Sequence, residues 1–128
     1  MSDAGSDNDA LREALRLQLD AAAVGFDWND LAGVWDKLHE EVGELREADG
    51  ANERREELGD LLFMIANLSR HLGVDPVAAL HQANVKFARR FGYVMRHAQD
   101  LPPLGDPRRL DAMEALWGRA KMLERDLD

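Results

Sequence analysis

The chain has 128 residues, 45% hydrophobic and 32% charged, a balance that fits one soluble globular domain with a core of modest size. Its formal net charge of −9 gives DNA or RNA duplex binding little electrostatic support, so a phosphate-bearing ligand must bring metal cations or meet a local basic patch. No cysteine is present, which removes disulfide frameworks, thiolate nucleophiles and zinc knuckles, and no apolar run reaches membrane-spanning length. The polar N-terminus MSDAGSDNDA does not read as a signal peptide, and the cytoplasm is the expected location.

Residues 1–8 are small and acidic and read as a disordered leader ahead of a single domain over 9–128. From Asp9, Leu11, Leu15, Leu17, Leu19, Ala22 and Val24 recur at helical spacing, with Gly25 as the stop. Asp27 before Trp28, with Asp30 three residues on, reads as an acidic helix start. The second helix carries an apolar stripe, Leu31, Trp35, Leu38, Val42 and Leu45, which makes Trp35 a core residue. Lys37, Glu41, Glu44 and Ala48 form a second stripe along its edge. Asp49-Gly50-Ala51-Asn52 is a turn and fresh cap. The third helix carries Leu58, Leu61, Leu62, Ile65, Leu68 and Leu72, flanked by Glu57, Asp60, Met64, Asn67 and His71, and ends at Gly73. Asp75-Pro76 restarts a long helix that runs to about Gln99, and Asp106-Pro107 starts the last. The reading is an all-α bundle of about five helices, with short connections that favour antiparallel neighbours. Its apolar stripes, including Trp35 and the Leu110–Trp117 segment, exceed what one small core covers, so helix pairs are expected to pack across a homodimer interface.

Two acidic signatures organise the chemistry: Glu41-Val-Gly-Glu44 and Glu57-Leu-Gly-Asp60, each a pair of carboxylates at i and i+3 on one helix face. Packed together, two such helices aim four carboxylates at one small volume, where mutual repulsion calls for cations. Oxygen-only ligands of this hardness suit Mg²⁺ or Mn²⁺ and argue against zinc. The bland alternative is a solvated acidic face, which for any one pair is the commoner outcome in an acidic protein. Lys86 and Arg90, at i and i+4 beside Phe87, read as a clamp on phosphate oxygens or as a basic ridge pairing with surface acids. Arg89 is turned away by about a hundred degrees of helix rotation. Trp117 and Lys121 repeat the spacing, although a tryptophan on an amphipathic helix is more often core than ligand stack. Asn67, inside an apolar run, needs a partner: backbone, another acid or a nucleobase edge. The histidines, His39, His71, His81 and His97, are scattered and form no ligand set.

At this point the residues resemble the MazG nucleoside triphosphate pyrophosphohydrolases. The likeness is carried by Lys37-Leu-His-Glu40-Glu41-Val-Gly-Glu44, Glu56-Glu57-Leu-Gly-Asp60 and Asn84-Val-Lys-Phe-Ala-Arg-Arg-Phe91. Val24-Gly-Phe-Asp-Trp28 and the Asn67–Pro76 stretch add to it. It covers roughly residues 11–124 and is similar to the catalytic C-terminal half of the two-domain members. The resemblance implies an all-α fold that dimerises and Mg²⁺-dependent hydrolysis of an NTP or dNTP to monophosphate and pyrophosphate, as nucleotide-pool house-cleaning. It implies Glu41, Glu44, Glu57 and Asp60 as metal ligands, Lys86 and Arg90 as phosphate-binding cations, and Trp117 and Lys121 as a later substrate pair. Glu40 and Lys37 match accompanying positions, Glu40 being one candidate for the base that takes the attacking water's proton. Gly43 departs from the pattern, standing where members more often carry a helix-former, and costs about 1 kcal/mol of helix stability relative to alanine.

Three other readings compete. One is a single-substrate pyrophosphohydrolase of the same superfamily, acting on phosphoribosyl-ATP, dCTP or dUTP. A di-iron carboxylate bundle expects Glu-x-x-His pairs on two helices, whereas this chain offers Asp36-Lys-Leu-His39, off the acidic stripe. The third is a helical interaction module without an active site.

Overall fold

The computed structural model describes residues 3–126, with side chains from residue 10 onward. Five α-helices account for most of it: α1 (Asp3–Ala23), α2 (Leu31–Glu47), α3 (Ala51–Leu72), α4 (Pro76–Arg96) and α5 (Arg108–Asp126). A 3₁₀ turn at Ala98–Asp100 follows α4, where the sequence reads as continuous helix to about Gln99. The described residues contain no strand, and the all-α expectation holds. The backbone of α1 begins at Asp3, so residues 3–8 of the expected leader are helical; Met1 and Ser2 lie outside the described residues. The chain divides into two compact units, one ending at Ala79 and the other beginning at Leu80. No helix among the described residues is long and apolar enough to cross a membrane.

Local chemistry sets the helix ends. At the end of α1 the Gly25 N–H donates to Ala22 O at 3.0 Å and the Phe26 N–H to Ala21 O at 2.9 Å. That pair of bonds needs a left-handed residue, and Gly25 supplies it at φ 91°. The same pair recurs after α3, where Gly73 (φ 70°) donates to Arg70 O and Val74 to Ser69 O. Asp30, rather than Asp27, caps α2: its Oδ1 accepts from the Gly33 N–H at 2.9 Å. Gly50 precedes α3 without a side-chain cap, and the Asp49 N–H instead donates to the Glu53 carboxylate at 3.2 Å. Asp75 caps α4 by accepting from Val77 N–H at 3.0 Å, and Asp106 accepts from Arg108 N–H at 2.9 Å ahead of α5.

In the first unit α3 packs most extensively on α2 and to a lesser extent on α1. The apolar stripes are covered only in part: Leu31, Leu38 and Leu45 on α2 and Leu61 and Leu68 on α3 are half-buried. On α2, Val34 and Glu41 are buried, whereas Trp35 is 41% exposed and Val42 lies open beside it. On α3, Met64, Ala66 and Asn67 are buried, and Leu58, Leu62 and Ile65 face solvent, Leu62 at 55% exposure. On α1 the buried residue is Gln18, with Leu17 and Leu19 outside. The expectation that Trp35 is core is therefore corrected. Apolar periodicity identifies a face that must be covered, but the most deeply buried residues within this chain lie on the mixed face beside it. In the second unit, Val94 on α4 and Ala120 on α5 are buried.

Helix α2 runs unbroken through Gly43, and a Cβ added there would meet no heavy atom within 4 Å. Gly43→Ala should therefore stabilise the protein by about 0.5–1 kcal/mol, since it removes backbone freedom from the unfolded chain without a steric conflict. A thermal melt should show the midpoint rising by a few degrees; a lower midpoint would mean that this turn of α2 meets something a Cβ disturbs.

Candidate functional site

The inward edges of α2 and α3 bring together three of the four expected acids. Glu41, Glu44 and Glu57 each offer a carboxylate oxygen, and these oxygens lie within 4.8 Å of one another. Glu41 is 6% exposed, Glu57 half-buried and Glu44 exposed. Asp60, one turn further along α3, is exposed and stands outside that group of oxygens, yet its charge is felt at Glu57. Burial pushes the Glu57 carboxyl upward, assisted by its hydrogen bond with Glu44 and by the negative charges of Glu44, Asp60 and Glu41.

Glu41 is only half neutralised. Lys37 Nζ lies 3.4 Å from Glu41 Oε1 and 3.3 Å from Glu40 Oε1, and the two acids, Glu40 first, raise the lysine's pKa. The far oxygen, Glu41 Oε2, is buried without a hydrogen-bond partner among the described residues, and so is Glu57 Oε2. Orphaned buried carboxylate oxygens are costly, because each has lost water and gained nothing. An oxygen-only donor set with two such atoms fits a hard divalent cation of the Mg²⁺ or Mn²⁺ type.

A second cluster joins α3 to α1 and to the loop before α2, and Asp27, Asn67, Arg70 and His71 of it lie in stretches that carry the resemblance. Arg70 donates through Nη1 to Asp27 Oδ2 at 3.2 Å and through Nη2 to Asp27 Oδ1 at 3.0 Å. Its Nη2 also reaches Asn67 Oδ1 at 2.7 Å, and its Nε reaches Gln18 Oε1 at 3.1 Å. His71 Nε2 lies 3.1 Å from Asp27 Oδ1. The Arg70 guanidinium is the main reason that the Asp27 carboxyl is held far below the usual carboxylate range. Asn67 thus finds its acceptor-side partner in Arg70, while its Nδ2 meets only Met64 Sδ at 3.5 Å. Arg70 belongs to the Asn67–Pro76 stretch, whereas Gln18 stands out by neither motif nor spacing.

In the second unit Arg90 and Trp117 meet, with the guanidinium carbon 5.7 Å from the ring centroid. Phe87 packs on Trp117 at 5.3 Å and stacks on Phe91 at 5.7 Å. Arg90 Nε donates to both oxygens of Glu124 at 2.9 and 3.1 Å. Arg89, read from sequence as pointing away, sends Nη2 to the same carboxylate at 3.0 and 3.1 Å, its long side chain spanning the helix rotation. Arg90 above all, then Arg89, keeps the Glu124 pKa low. Lys86 and Lys121 are exposed and enter no ion pair among the described residues.

Comparison with known proteins finds relatives of this chain. It is 43% identical over 112 residues to the nucleoside triphosphate pyrophosphohydrolase/pyrophosphatase MazG of Thermotoga maritima, covering 88% of this chain and 44% of that protein. It is 44% identical over 126 residues to the nucleoside triphosphate pyrophosphohydrolase of Escherichia coli K12, covering 92% and 47%. The chain is a MazG relative. It spans under half the length of either protein. A weaker likeness, 38% over 79 residues, extends to the uncharacterized protein YabN of Bacillus subtilis. No family model matches the chain.

Because the ionised Glu57 is the strained form, neutralising it should relieve the fold of metal-free MazG-like protein. Glu57→Gln, measured by thermal melt in chelator at neutral pH, should melt at or above wild type. The sign follows from the raised pKa. Wild type regains the missing stability as pH falls through the folded-state value, so the two proteins should converge in acid. A variant that melts well below wild type at neutral pH would make Glu57 a structural partner instead.

Proposed function

We propose that the chain hydrolyses nucleoside triphosphates, NTP or dNTP, to the monophosphate and pyrophosphate, and that Glu41, Glu44, Glu57 and Asp60 hold Mg²⁺ or Mn²⁺ for that reaction. The observation that carries this is the convergence of carboxylates from α2 and α3, with Glu41 Oε2 and Glu57 Oε2 buried and unpartnered, in a chain related to MazG. Bound there, the divalent cation supplies charge neutralisation on phosphate oxygens and Lewis acidity. Lys37 holds Glu40 and Glu41 in place, and Glu40, exposed at the edge of the cluster, accepts the proton of the attacking water.

Arg90 makes its bonds to Glu124 through Nε alone, so its terminal nitrogens are left to bind phosphate oxygens as a fork. Trp117 backs the guanidinium, Lys86 adds a point charge one turn away, and Lys121 adds another on α5. No covalent nucleophile is required. The role is house-cleaning of the cytoplasmic nucleotide pool. The exposed seam of Leu58, Leu62 and Ile65 on α3, with Trp35 and Val42 on α2, is covered by a second copy in a homodimer, which light scattering would report directly.

A panel of NTPs and dNTPs incubated with Mg²⁺ or Mn²⁺ should release pyrophosphate and monophosphate, and Glu57→Gln should abolish that release. Dominance of one substrate by orders of magnitude would select the single-substrate reading, and silence across the panel would favour a non-catalytic helical module. Lys86→Ala and Arg90→Ala should each lower kcat/KM by about 2–4 kcal/mol in transition-state terms without unfolding the protein. Arg89→Ala should cost less, because Glu124 retains Arg90; equal losses would assign the anion contact to the wrong arginine.

A further inference from the structure

Within the first unit a cavity of about 420 Å³ opens between α1, the α1–α2 loop and α3. Its walls are apolar and partly aromatic, with Leu17, Ala21, Phe26, Trp28, Phe63 and Met64, and its polar edge is the Arg70 cluster. That edge has a determinate donor and acceptor pattern. A guanidinium only donates, so the atoms facing Arg70 are Gln18 Oε1 and Asn67 Oδ1, and both amides are thereby oriented. Gln18 Nε2 is spent on Phe63 O at 2.9 Å, and both oxygens of Asp27 are occupied by Arg70. What remains is the amino group of Asn67. The residue is only 7% exposed, it lines the cavity, and its Nδ2 has no oxygen or nitrogen acceptor among the described residues, only a thioether at 3.5 Å. A buried amide donor with a sulfur for company is an unmet demand for an acceptor.

The position of that donor along α3 says what brings the acceptor. Glu57, Asp60, Met64 and Asn67 follow one another at intervals of three, four and three, so they run along a single face of the helix. Ten residues separate Glu57 from Asn67, about 15 Å along the axis at the rise of an α-helix. A ligand lying on this face has one end at the carboxylates, through cations, and the other in an apolar slot with one inward-facing donor. A nucleotide has that polarity: polyphosphate at one end, a flat heterocycle with rim acceptors at the other.

We propose that this cavity is the base pocket of the triphosphate substrate and that Asn67, oriented by Arg70, determines base preference by donating to a carbonyl or ring-nitrogen acceptor. The proposal rests on the triphosphate reading above and adds to it where the base goes and what reads it. Trp117, the other candidate aromatic, already carries Phe87 and Arg90 on its ring.

The test compares kcat/KM for the common NTPs with that for ribose 5-triphosphate, which keeps the sugar and phosphates and lacks a base. Asn67→Asp replaces a donor by an acceptor while keeping the Arg70 contact. It should reorder the preference among bases by about tenfold or more, chiefly through KM, and change turnover of the base-less substrate by no more than about twofold. Ala21→Phe places a ring in the cavity without replacing any residue of the Arg70 cluster; it should raise KM for every base-bearing substrate and spare the base-less one. Melting curves establish that each variant is folded, and Ala21→Phe decides alone if Asn67→Asp is not. Variants that alter base-bearing and base-less substrates alike, or alter neither, overturn the base pocket. A change of oligomeric state with such a uniform effect would assign the cavity to an interface between copies. A wild type that cleaves no triphosphate, with or without a base, would instead fell the parent reading.

Discussion

Arg70 is the side chain on which the organisation of the first unit depends. A guanidinium offers a rigid fan of donors and no acceptor, so it can be buried only where oxygens converge on it. Here they come from three stretches of chain: Gln18 on α1, Asp27 in the loop before α2, and Asn67 one turn back on α3. The loop that carries Phe26 and Trp28 is thus tied to α3 by a bidentate ion pair rather than by apolar packing, which explains how a loop with an exposed Phe26 keeps a defined course. Loss of Asp27 would leave a largely buried cation facing two amides, a far worse state than losing a surface pair.

The same helix face that receives Arg70's partners also carries the acids, and this is why so much of the site, and so little of the packing, was legible in the sequence. The carboxylate spacing fixes a common face on each helix whatever the helices do, so Glu41, Glu44 and Glu57 could be brought together from spacing alone, and they meet. Packing orientation carries no such invariant. The apolar stripes of α2 and α3 mark surfaces that need cover, and within this chain Trp35, Val42, Leu58, Leu62 and Ile65 stay open while Glu41, Met64 and Asn67 turn inward. A sequence read as one isolated chain assigns the most apolar face to its own core. Where that face is reserved for something else, Trp35 becomes the residue most easily misplaced.

Asp60 and Arg90 illustrate two further limits of periodicity. Asp60 shares the acidic face of α3 but stands at its exposed end, close enough to act on Glu57 through space and not within the group of three carboxylates. Arg90 lies where spacing put it, beside Phe87, but its Nε is held by Glu124, thirty-four residues away and unremarkable in the sequence. Long-range ion pairs of this kind leave no local trace, since any acid on α5 could have served.

Glu124 also fixes how the two adjacent arginines are arranged. Two guanidiniums on adjacent residues repel, and in isolation their side chains would splay into solvent. One carboxylate bonded to both draws them to the same place, and because Arg90 spends only Nε on it, the fork at the tip of that side chain keeps its direction against Trp117. The cationic surface is therefore pre-formed, with the entropy of ordering a long side chain already lost before any ligand arrives. The acid cluster of the first unit is in the opposite condition. Its carboxylates are held close with two oxygens unsatisfied, a strain that a cation bound there would relieve.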